Sequence, residues 1–306
     1  MAGTSGTGGA YSLAQVPLPA GSELLWYRVE RVLGQGGFGI TYLASDTRLM
    51  TQVAIKEYFP SESAWRDEAQ DVRPRSEALL TAFDWGKERF LKEAQTLARL
   101  KHPNIVRVLA FFEAHNTAYL TMEYERGESL RDRLAEGRGF AERDLLLLTL
   151  RLLDGLETLH EAGFIHRDIK PGNIFVREDG SPVLLDFGSA RSPGKGGDQA
   201  MTSLVTPGYA PHEQYYSTGD SQGPWTDIYA LGGVLYETIS GDRPPDATFR
   251  CGAALSGQRD PMLPAVEVGK GRYSQRFLVA VDQALRVLEK DRPQSVASWK
   301  SMFLRP

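Results

Sequence analysis

The chain has 306 residues, of which 42% are hydrophobic and 24% charged, and its formal net charge is −4. This length favours about two folding units, and the composition is that of an ordinary globular protein with enough apolar residues for a sizeable core. The slightly acidic balance gives no indication of a protein that binds nucleic acid or a membrane surface.

Cysteine content and the length of apolar runs exclude several further classes of protein. A single cysteine, Cys251, excludes an internal disulfide and a cysteine-rich metal site. This fits a reducing compartment, and we predict a cytoplasmic location. No apolar run approaches the roughly 20 residues needed to span a bilayer, and the first residues have no secretory pattern.

The N-terminal part of the chain is predicted to form an arm followed by a sheet. Residues 1–23 are predicted to be flexible because Gly, Ser, Thr and Pro are frequent there; a leader left from cloning is the alternative. Alternating apolar residues then predict strands in "YRVERVL", "TYLASDT" and "TQVAIKEYF", and two more around the "HN" turn of "VRVLAFFEAHNTAYLTMEY". Helical spacing of apolar residues predicts one helix over 85–100.

A charged segment, 61–84, separates the third of these strands from the helix and is longer than a strand-to-helix link requires. One interpretation is an insertion that docks a partner or regulates the helix. The other is a passive surface loop.

The C-terminal part is predicted to be mainly helical. Long helices are indicated over 143–163 and 226–241, closed by Gly163 and Gly241, and further helices follow. The fold class is therefore α+β, with a small antiparallel-sheet part over about 24–122, a link at 123–127 and a helical part over 128–306. A cleft between two such parts is where a ligand usually binds.

Glycines crowd the first hairpin, "LGQGGFGITY", at Gly34, Gly36 and Gly39. Glycines allow backbone N–H groups to approach a phosphate closely, although a simple glycine-rich hairpin would have the same pattern. A Walker loop is excluded because no Gly-Lys-Ser/Thr ending follows, and a dinucleotide fold because the next element is a strand.

Several charged residues lie where they need a counter-charge or an anionic ligand. Lys56 interrupts an apolar strand, and Glu93 lies between apolar residues of the predicted helix, so the two could pair. In "FIHRDIKPGNIFV", Asp168 could accept a proton from a hydroxyl, and Lys170 could neutralise a moving phosphoryl group. Asn173, and Asp186 at the end of the strand in "VLLDFG", offer oxygen ligands suited to Mg²⁺. These are the parts that phosphoryl transfer requires.

The motifs "GQGGFGITY", "VAIK", "HRDIKPGN", "DFG" and "TDIYALG" occur in the order typical of protein kinases. Over residues 24–306 the sequence resembles the catalytic domain of the bacterial eukaryotic-like (Hanks-type) serine/threonine protein kinases, which implies a bilobal kinase fold. It implies transfer of the ATP γ-phosphate to Ser or Thr hydroxyls of proteins, with Mg²⁺, or alternatively Mn²⁺, as the ion. A homodimer for trans-autophosphorylation is possible in this family.

The resemblance assigns roles to residues that match the family motifs. Asp168 would be the catalytic base, with Lys170 beside the γ-phosphate, and Asn173 and Asp186 would bind Mg²⁺. Glu93 would orient Lys56. ATP contacts are implied for Gly34, Gly36, Gly37, Phe38, Gly39, Thr41, Ala54, Lys56, Met122, Phe175 and, through the hinge backbone, Glu123 and Glu125.

The resemblance also implies an activation segment and a structural frame. Thr206 would contact Asp168 and Lys170, while Thr202, with Ser203 as its neighbour, would be the autophosphorylation site. Its phosphate would bind Arg167. The frame residues implied are Asp227, which would brace the catalytic loop, and the buried ion pair of Glu213 with Arg292.

Two departures from the family pattern are visible. Thr41 replaces the usual Val over the adenine, and "GYAPHEQY" moves the Pro relative to Glu213. A pseudokinase scaffold and a small-molecule phosphotransferase of the same fold are the alternatives to an active protein kinase. The sequence does not specify a natural substrate, an activating signal or an oligomeric state, and the chain could be part of a longer protein.

Overall fold

The computed structural model describes residues 15–186, 205–216 and 221–304. The chain divides into two compact units: one holds the chain up to Gln95 and Val108–Tyr124, the other holds Thr96–Arg107 and the chain from Glu125 onward. The predicted first part, 24–122, differs from this division at residues 96–107. That loop joins the second unit because Asn104 Nδ2 donates to Pro182 O (2.7 Å) and Leu184 N donates to Asn104 O (2.9 Å).

The first unit is built on one antiparallel sheet of six strands. The strands are β1 (Glu23–Leu24), β2 (Tyr27–Gly36), β3 (Gly39–Asp46), β4 (Thr51–Tyr58), β7 (Val108–Ala114) and β8 (Thr117–Glu123). Their order in the sheet is β1-β2-β3-β4-β8-β7. The predicted "HN" turn joins the last two strands: His115 and Asn116 have φ of 48° and 54°, the left-handed pair that a tight hairpin requires.

The predicted insertion is not a simple surface loop. It contains a hairpin of β5 (Ala64–Arg66) and β6 (Val72–Pro74). Ala64 and Val72 are fully buried in the apolar core of the first unit, and Val72 N donates to His115 O (2.9 Å). The hairpin therefore forms part of the core, so this stretch is not a surface loop.

The predicted arm is ordered at its C-terminal end. Leu18 is buried, and its amide donates to the Tyr42 hydroxyl (3.1 Å). The Val16 carbonyl accepts a hydrogen bond from Arg66 Nε (2.8 Å). Residues 15–23 are thus held against the first unit, because their apolar and backbone groups find partners that composition alone does not indicate. Residues 1–14 lie outside the described ranges.

The predicted helix over 85–100 is found as α1 (Leu80–Leu97). It begins earlier because the chain already turns in a short 3₁₀ segment, Glu77–Leu79. Phe83 and Phe90 pack against the ring of Tyr58 on β4, with ring centres 5.4 and 6.0 Å apart.

The second unit is mainly helical, as predicted. Its longer helices are α3 (Glu142–Glu161), α5 (Pro224–Ser240), α6 (Ala247–Leu255), α8 (Gln275–Ala284) and α9 (Val296–Leu304), and its shorter ones are α2 (Leu130–Ala135), α4 (Glu213–Tyr216) and α7 (Ala265–Val268). A small sheet is formed by β9 (Gly127–Ser129), β10 (Ile174–Arg177) and β11 (Pro182–Leu184), in the order β11-β10-β9. The two predicted glycine ends follow α3 and α5: Gly163 and Gly241 have φ of 80° and 84°, which costs a glycine little.

The helices differ in how much of their surface is covered. The helix α3 buries one stripe of leucines, whereas α5 is buried almost all round. A helix that is apolar on every side can serve as the centre of a helical unit. Among the described residues, no helix combines the length and apolar character that a bilayer-spanning segment needs.

Close packing of α1 on the sheet predicts a stability effect at Gly86. A Cβ built at Gly86 would lie 2.2 Å from the Tyr58 hydroxyl, which is buried and makes no hydrogen bond to a described residue. We expect Gly86→Ala to lower the free energy of unfolding by about 1–3 kcal/mol through overpacking. Tyr58→Phe removes the nearest atom and should recover part of the loss, as measured by denaturant unfolding.

The matched control is Gly252→Ala in α6, where a Cβ would meet nothing within 4 Å. There we expect a gain of about 0.5–1 kcal/mol from the helix propensity of Ala. A stabilising effect of Ala at both positions would contradict the packing described for α1.

Candidate active site

The glycine-rich hairpin forms as predicted between β2 and β3. Gly36 pairs with Gly39 across the turn, and a Cβ at Gly39 would lie 2.1 Å from the Glu57 carbonyl oxygen, so no side chain fits there. At Gly34 and Gly36 a Cβ would meet nothing within 4 Å. Packing within the protein does not require glycine at these two positions, whereas close approach of a ligand would.

The predicted ATP residues of the first unit share one face of the sheet. Lys56 lies opposite Thr41 on β3, and Ala54 lies opposite Met122 on β8. Residues directly opposite each other, and residues two apart on one strand, point to the same face. Lys56, Ala54 and Met122 are buried. The shared face fits a single binding surface.

Helix α1 packs against that same face. Tyr58, two residues after Lys56 on β4, contacts Phe83 and Phe90 of the helix. Glu93 follows Phe90 by about one turn and is half-buried. This is the arrangement that a Lys56–Glu93 pair needs, and the pair itself stays a prediction.

In the second unit, the predicted catalytic residues come together around Asp168. The Lys170 ammonium donates to both Asp168 carboxylate oxygens, at 2.9 and 2.7 Å. The Thr206 hydroxyl donates to Asp168 Oδ1 at 3.0 Å and lies 3.5 Å from Lys170 Nζ. The predicted contacts of Thr206 with both residues are therefore found, although Thr206 is 38 residues from Asp168 along the chain.

The two predicted metal ligands suit a hard cation. The Asn173 amide nitrogen donates to Asp168 O (2.8 Å) and Oδ2 (3.0 Å), so its oxygen Oδ1 is the atom that could bind an ion. Asp186 follows β11 and has φ of 57°, a left-handed conformation that costs a non-glycine residue energy. An amide oxygen with a carboxylate is a donor set that fits Mg²⁺.

Asp227, at the start of α5, braces the catalytic loop as predicted. It is fully buried, and its carboxylate accepts hydrogen bonds from the amides of His166 and Arg167, both at 2.8 Å, and from His160 Nε2 at 2.7 Å. Burial alone would raise the pKa of this carboxyl. The hydrogen bond from His160, the electrostatic attraction of that histidine and the backbone donors outweigh burial, and they hold the pKa of Asp227 below its ordinary value.

His166 connects the loop to Leu185, the residue between β11 and Asp186. Its Nδ1 faces the Asp168 amide at 3.3 Å, and its Nε2 faces the Leu185 carbonyl at 3.1 Å. An amide can only donate, so Nδ1 is the acceptor and the proton of the neutral ring is on Nε2. Burial lowers the pKa of His166, which favours this neutral form.

Arg167 adopts an unusual backbone conformation, with φ of 69°. Its amide is bound by Asp227 and its carbonyl accepts a hydrogen bond from Gln214 Nε2 at 2.9 Å. Strain of this kind persists only where neighbours enforce it, and it is common at functional sites. Thr202 and Ser203 lie outside the described residues, so the predicted phosphate contact of Arg167 stays a prediction.

The predicted ion pair of Glu213 and Arg292 is present and buried. Arg292 Nη1 donates to Glu213 Oε1 at 2.7 Å and Nη2 donates to Oε2 at 3.2 Å, 79 residues apart in sequence. The shifted proline therefore does not prevent the pair. His212 lies between Pro211 and Glu213, and its ring nitrogens face Glu213 and Glu289 at 3.4 Å each.

The predicted hinge, 123–127, contains the point at which the two units part, between Tyr124 and Glu125. The Glu125 side chain is held by Arg177, whose Nε and Nη2 donate to the two carboxylate oxygens at 2.6 and 2.8 Å. Phe175 lies on β10, opposite Ser129 and Val183. Glu123 is exposed at the end of β8. The contacts of these residues with ATP stay predictions.

Sequence reasoning missed His160, Gln214 and Arg177. Each makes a side-chain hydrogen bond to a predicted residue at least 47 positions away. Only His160 carried a signal: it is a histidine at the end of an otherwise leucine-rich helix. The other two are polar residues in polar stretches, which no local pattern distinguishes.

The hydrogen bonds of Asp227 predict a pH-dependent cost for Asp227→Asn. In the variant, an NH₂ group replaces one of the two carboxylate oxygens that accept hydrogen bonds, and an NH₂ group can only donate. We expect the free energy of unfolding to fall by about 2–4 kcal/mol at pH 7. Because its folded pKa is lowered, the stabilisation by Asp227 is present above the unfolded pKa of about 4 and is lost as the pH falls through the folded pKa. The gap between wild type and variant should therefore narrow below pH 4.

Urea unfolding at several pH values between 7 and 3.5 measures this gap. Asp242→Asn makes the same change at an exposed residue of the same unit and should show only a small difference at every pH. A gap for Asp227→Asn that stays constant down to the lowest pH would contradict a carboxylate that is ionised in the folded protein.

Comparison with known proteins agrees with this geometry. A family profile described as "Protein kinase domain" matches residues 27–253. A "Probable serine/threonine-protein kinase" of Streptomyces coelicolor is 37% identical over 227 residues, which is 72% of this chain and 30% of that protein. The "Serine/threonine-protein kinase pkn2" of Myxococcus xanthus is 33% identical over 88% of this chain and 31% of its own length.

Among solved structures, the chain is similar to one titled "PpkA-294 apo form", with a TM-score of 0.80 and 35% sequence identity. The match covers 94% of this chain and 99% of that one. The predicted fold class, a small antiparallel-sheet lobe and a mostly helical lobe, is confirmed by this likeness. The chain belongs to the protein kinase domain family, and its relatives are bacterial serine/threonine kinases of the Hanks type.

Proposed function

We propose that the chain is the catalytic domain of a serine/threonine protein kinase that transfers the ATP γ-phosphate to Ser or Thr hydroxyls of protein substrates. The proposal rests on the cluster around Asp168, whose carboxylate lies within hydrogen-bond distance of Lys170, Asn173 and Thr206. The chain spans about a third of the length of the two curated relatives named above. The proposal therefore concerns the activity of this catalytic domain.

The cluster supplies a base at a defined position. Asp168 accepts the proton of the substrate hydroxyl as the hydroxyl oxygen forms its bond to the γ-phosphorus and the bond from that phosphorus to the bridging oxygen breaks. Lys170 stands beside the same carboxylate and balances charge on the transferred group. The Thr206 hydroxyl donates to the same carboxylate and helps to fix it, and such positioning accounts for much of the rate in phosphoryl transfer.

Asn173 and Asp186 would hold Mg²⁺, or alternatively Mn²⁺, whose positive charge would offset the negative charge of the ATP phosphates. The Asn173 side chain is oriented for this by its amide donation to Asp168. In the first unit, Lys56 and the turn glycines would bind the phosphates, and Thr41, Ala54 and Met122 would line the adenine side of the same sheet face.

The geometry favours a protein kinase over the two alternatives. A small-molecule phosphotransferase usually lacks the segment that carries Thr206, yet here Thr206 contacts both Asp168 and Lys170. A pseudokinase would be expected to have lost part of the chemical set. Here Lys56, Asp168, Asn173 and Asp186 are all present.

The intact mass of the purified chain, before and after incubation with Mg²⁺ and ATP, tests catalysis directly. We expect added phosphate in the wild type, and transfer to a generic protein such as casein, with Asp168→Asn reduced by about 10²–10⁴-fold. Kinase activity should fall on the order of tenfold in Thr206→Val, because this change removes the hydrogen bond from the hydroxyl to Asp168. Thr206→Ser keeps the hydroxyl and should keep most of the activity. No transfer by the dephosphorylated wild type would support a scaffold.

We also propose that Thr202 is autophosphorylated between two copies of the chain and that its phosphate binds Arg167. A phosphate beside a guanidinium forms a strong charge-assisted hydrogen bond, which would add to the constraints on the Arg167 backbone. The pairing would order the activation segment that ends at Glu213.

Thr202→Ala should lower casein phosphorylation by roughly tenfold or more, and Ser203→Ala, its neighbouring control, should not. Peptide mapping should place a phosphate on Thr202, and an Asp168→Asn chain should acquire it from the wild type if transfer occurs between copies. Undiminished activity of Thr202→Ala would refute the regulatory role, and an Asp168→Asn chain that stays unphosphorylated would refute transfer between copies.

A further inference from the structure

The tip of the glycine turn is held from outside by hydrogen bonds to three consecutive carbonyl groups. Gln15 Nε2 donates to Gly36 O at 3.0 Å. Ser61 donates to Gly37 O through its amide at 2.9 Å and its hydroxyl at 3.3 Å, and Phe59 N donates to Phe38 O at 3.0 Å. None of the three donors belongs to the hairpin that carries the turn, and we call them the tip clamp.

The clamp fixes the direction of the amide groups of the turn. In a planar trans peptide the C=O and the following N–H point in opposite directions. Holding Gly36 O therefore directs the N–H of Gly37 away from Gln15, and holding Gly37 O directs the N–H of Phe38 away from Ser61. Neither N–H donates to a described residue. Two neighbouring amides directed away from the clamp are suited to bind an anion.

The clamp is itself anchored in the core. Gln15 Nε2 also donates to the carbonyl of Phe59, a fully buried residue, and the next residue, Val16, is bound by Arg66 Nε at 2.8 Å. Arg66 belongs to the inserted hairpin and pairs with Glu57 at 2.6 Å, and both side chains are buried. The ordered N-terminal residues and the insertion thus reach the turn through one connected network.

Buried tyrosines complete the network around Glu57. Its two carboxylate oxygens accept hydrogen bonds from the hydroxyls of Tyr119 and Tyr42, both at 2.7 Å, in addition to the bond from Arg66. A buried carboxylate with this many donors is held in one position. Glu57 follows Lys56 on β4, so the network also holds the strand that carries the predicted phosphate-binding lysine.

We propose that Gln15 and Ser61 are positioning residues that preset the Gly37 and Phe38 amides for the phosphates of a nucleotide. The insertion would then help to hold the glycine turn in one conformation, so that the anion site is formed before the nucleotide binds. This inference rests on the proposed function, because it takes the bound anion to be the phosphates of ATP. The turn loses its conformational entropy when the protein folds, so nucleotide binding requires less further ordering of the turn.

The test removes or keeps the hydrogen-bond donor at residue 15. Gln15→Glu removes the donor and places a carboxylate against two carbonyl oxygens, whereas Gln15→Lys keeps a donor on a longer side chain. Calorimetry with ADP and Mg²⁺ should show affinity lowered roughly three- to tenfold in Gln15→Glu and Gln15→Ala, and within about twofold of wild type in Gln15→Lys. The KM for ATP should rise by the same factor, with kcat nearly unchanged.

The control is Gln52→Glu, the same change at an exposed residue of the same sheet whose amide donates to Glu30 at 3.1 Å. It should leave ADP affinity unchanged. Hydrogen exchange of the amides in residues 33–42 should accelerate in Gln15→Glu and not in Gln52→Glu. Equal ADP affinity in wild type, Gln15→Glu and Gln15→Ala would overturn the inference, while a wild type that binds no nucleotide would instead overturn the proposed function.

Discussion

The arrangement of the catalytic loop depends on one buried carboxylate. Asp227 accepts hydrogen bonds from two successive loop amides and from His160, and it lies at the start of the most deeply buried helix, α5. The positive φ of Arg167 comes directly after these two amides and sets the direction in which the chain continues to Asp168. With the amides of His166 and Arg167 fixed, Asp168 is placed next in the chain.

Each unit contains a buried ion pair that connects two separate segments of the chain. Glu57 and Arg66 tie the insertion to the sheet of the first unit, and Glu213 and Arg292 tie the end of the activation segment to the helices of the second. A buried pair contributes little net stability compared with apolar residues of the same size, but losing one partner is expensive. We therefore interpret both pairs as devices that fix where a segment lies, each beside residues with a proposed part in the chemistry.

The sequence predicted the local parts of this structure well. Alternation in "TQVAIKEYF" predicted β4, the glycines after α3 and α5 predicted their ends, and motif order predicted which polar residues would meet. The meeting of Thr206 with Asp168, and of Arg292 with Glu213, came from the family resemblance, since no periodicity relates residues 38 or 79 positions apart.

What the sequence could not predict are contacts made by ordinary-looking polar residues. Gln15 lies in a stretch whose composition indicates flexibility, and Arg66 lies in a charged insertion, yet Gln15 binds the carbonyl of the buried Phe59 and Arg66 pairs with the buried Glu57. These side chains are held by partners far away in the sequence, so the composition of the neighbouring residues does not predict their contacts. His212, by contrast, shows that a departure from a motif can leave the contact intact, because the Glu213 side chain still reaches Arg292.

The role proposed for the loop around Asp168 is catalysis of phosphoryl transfer to protein hydroxyl groups. Phosphoamino acid analysis of a protein substrate labelled from γ-phosphate-labelled ATP isolates this role, with Mg²⁺ present and the Asp168→Asn chain in parallel. We expect label on serine or threonine from the wild type, and about 10²-fold less label or lower still from the variant. Label on tyrosine alone, equal label from both chains, or label on a small molecule only would contradict it.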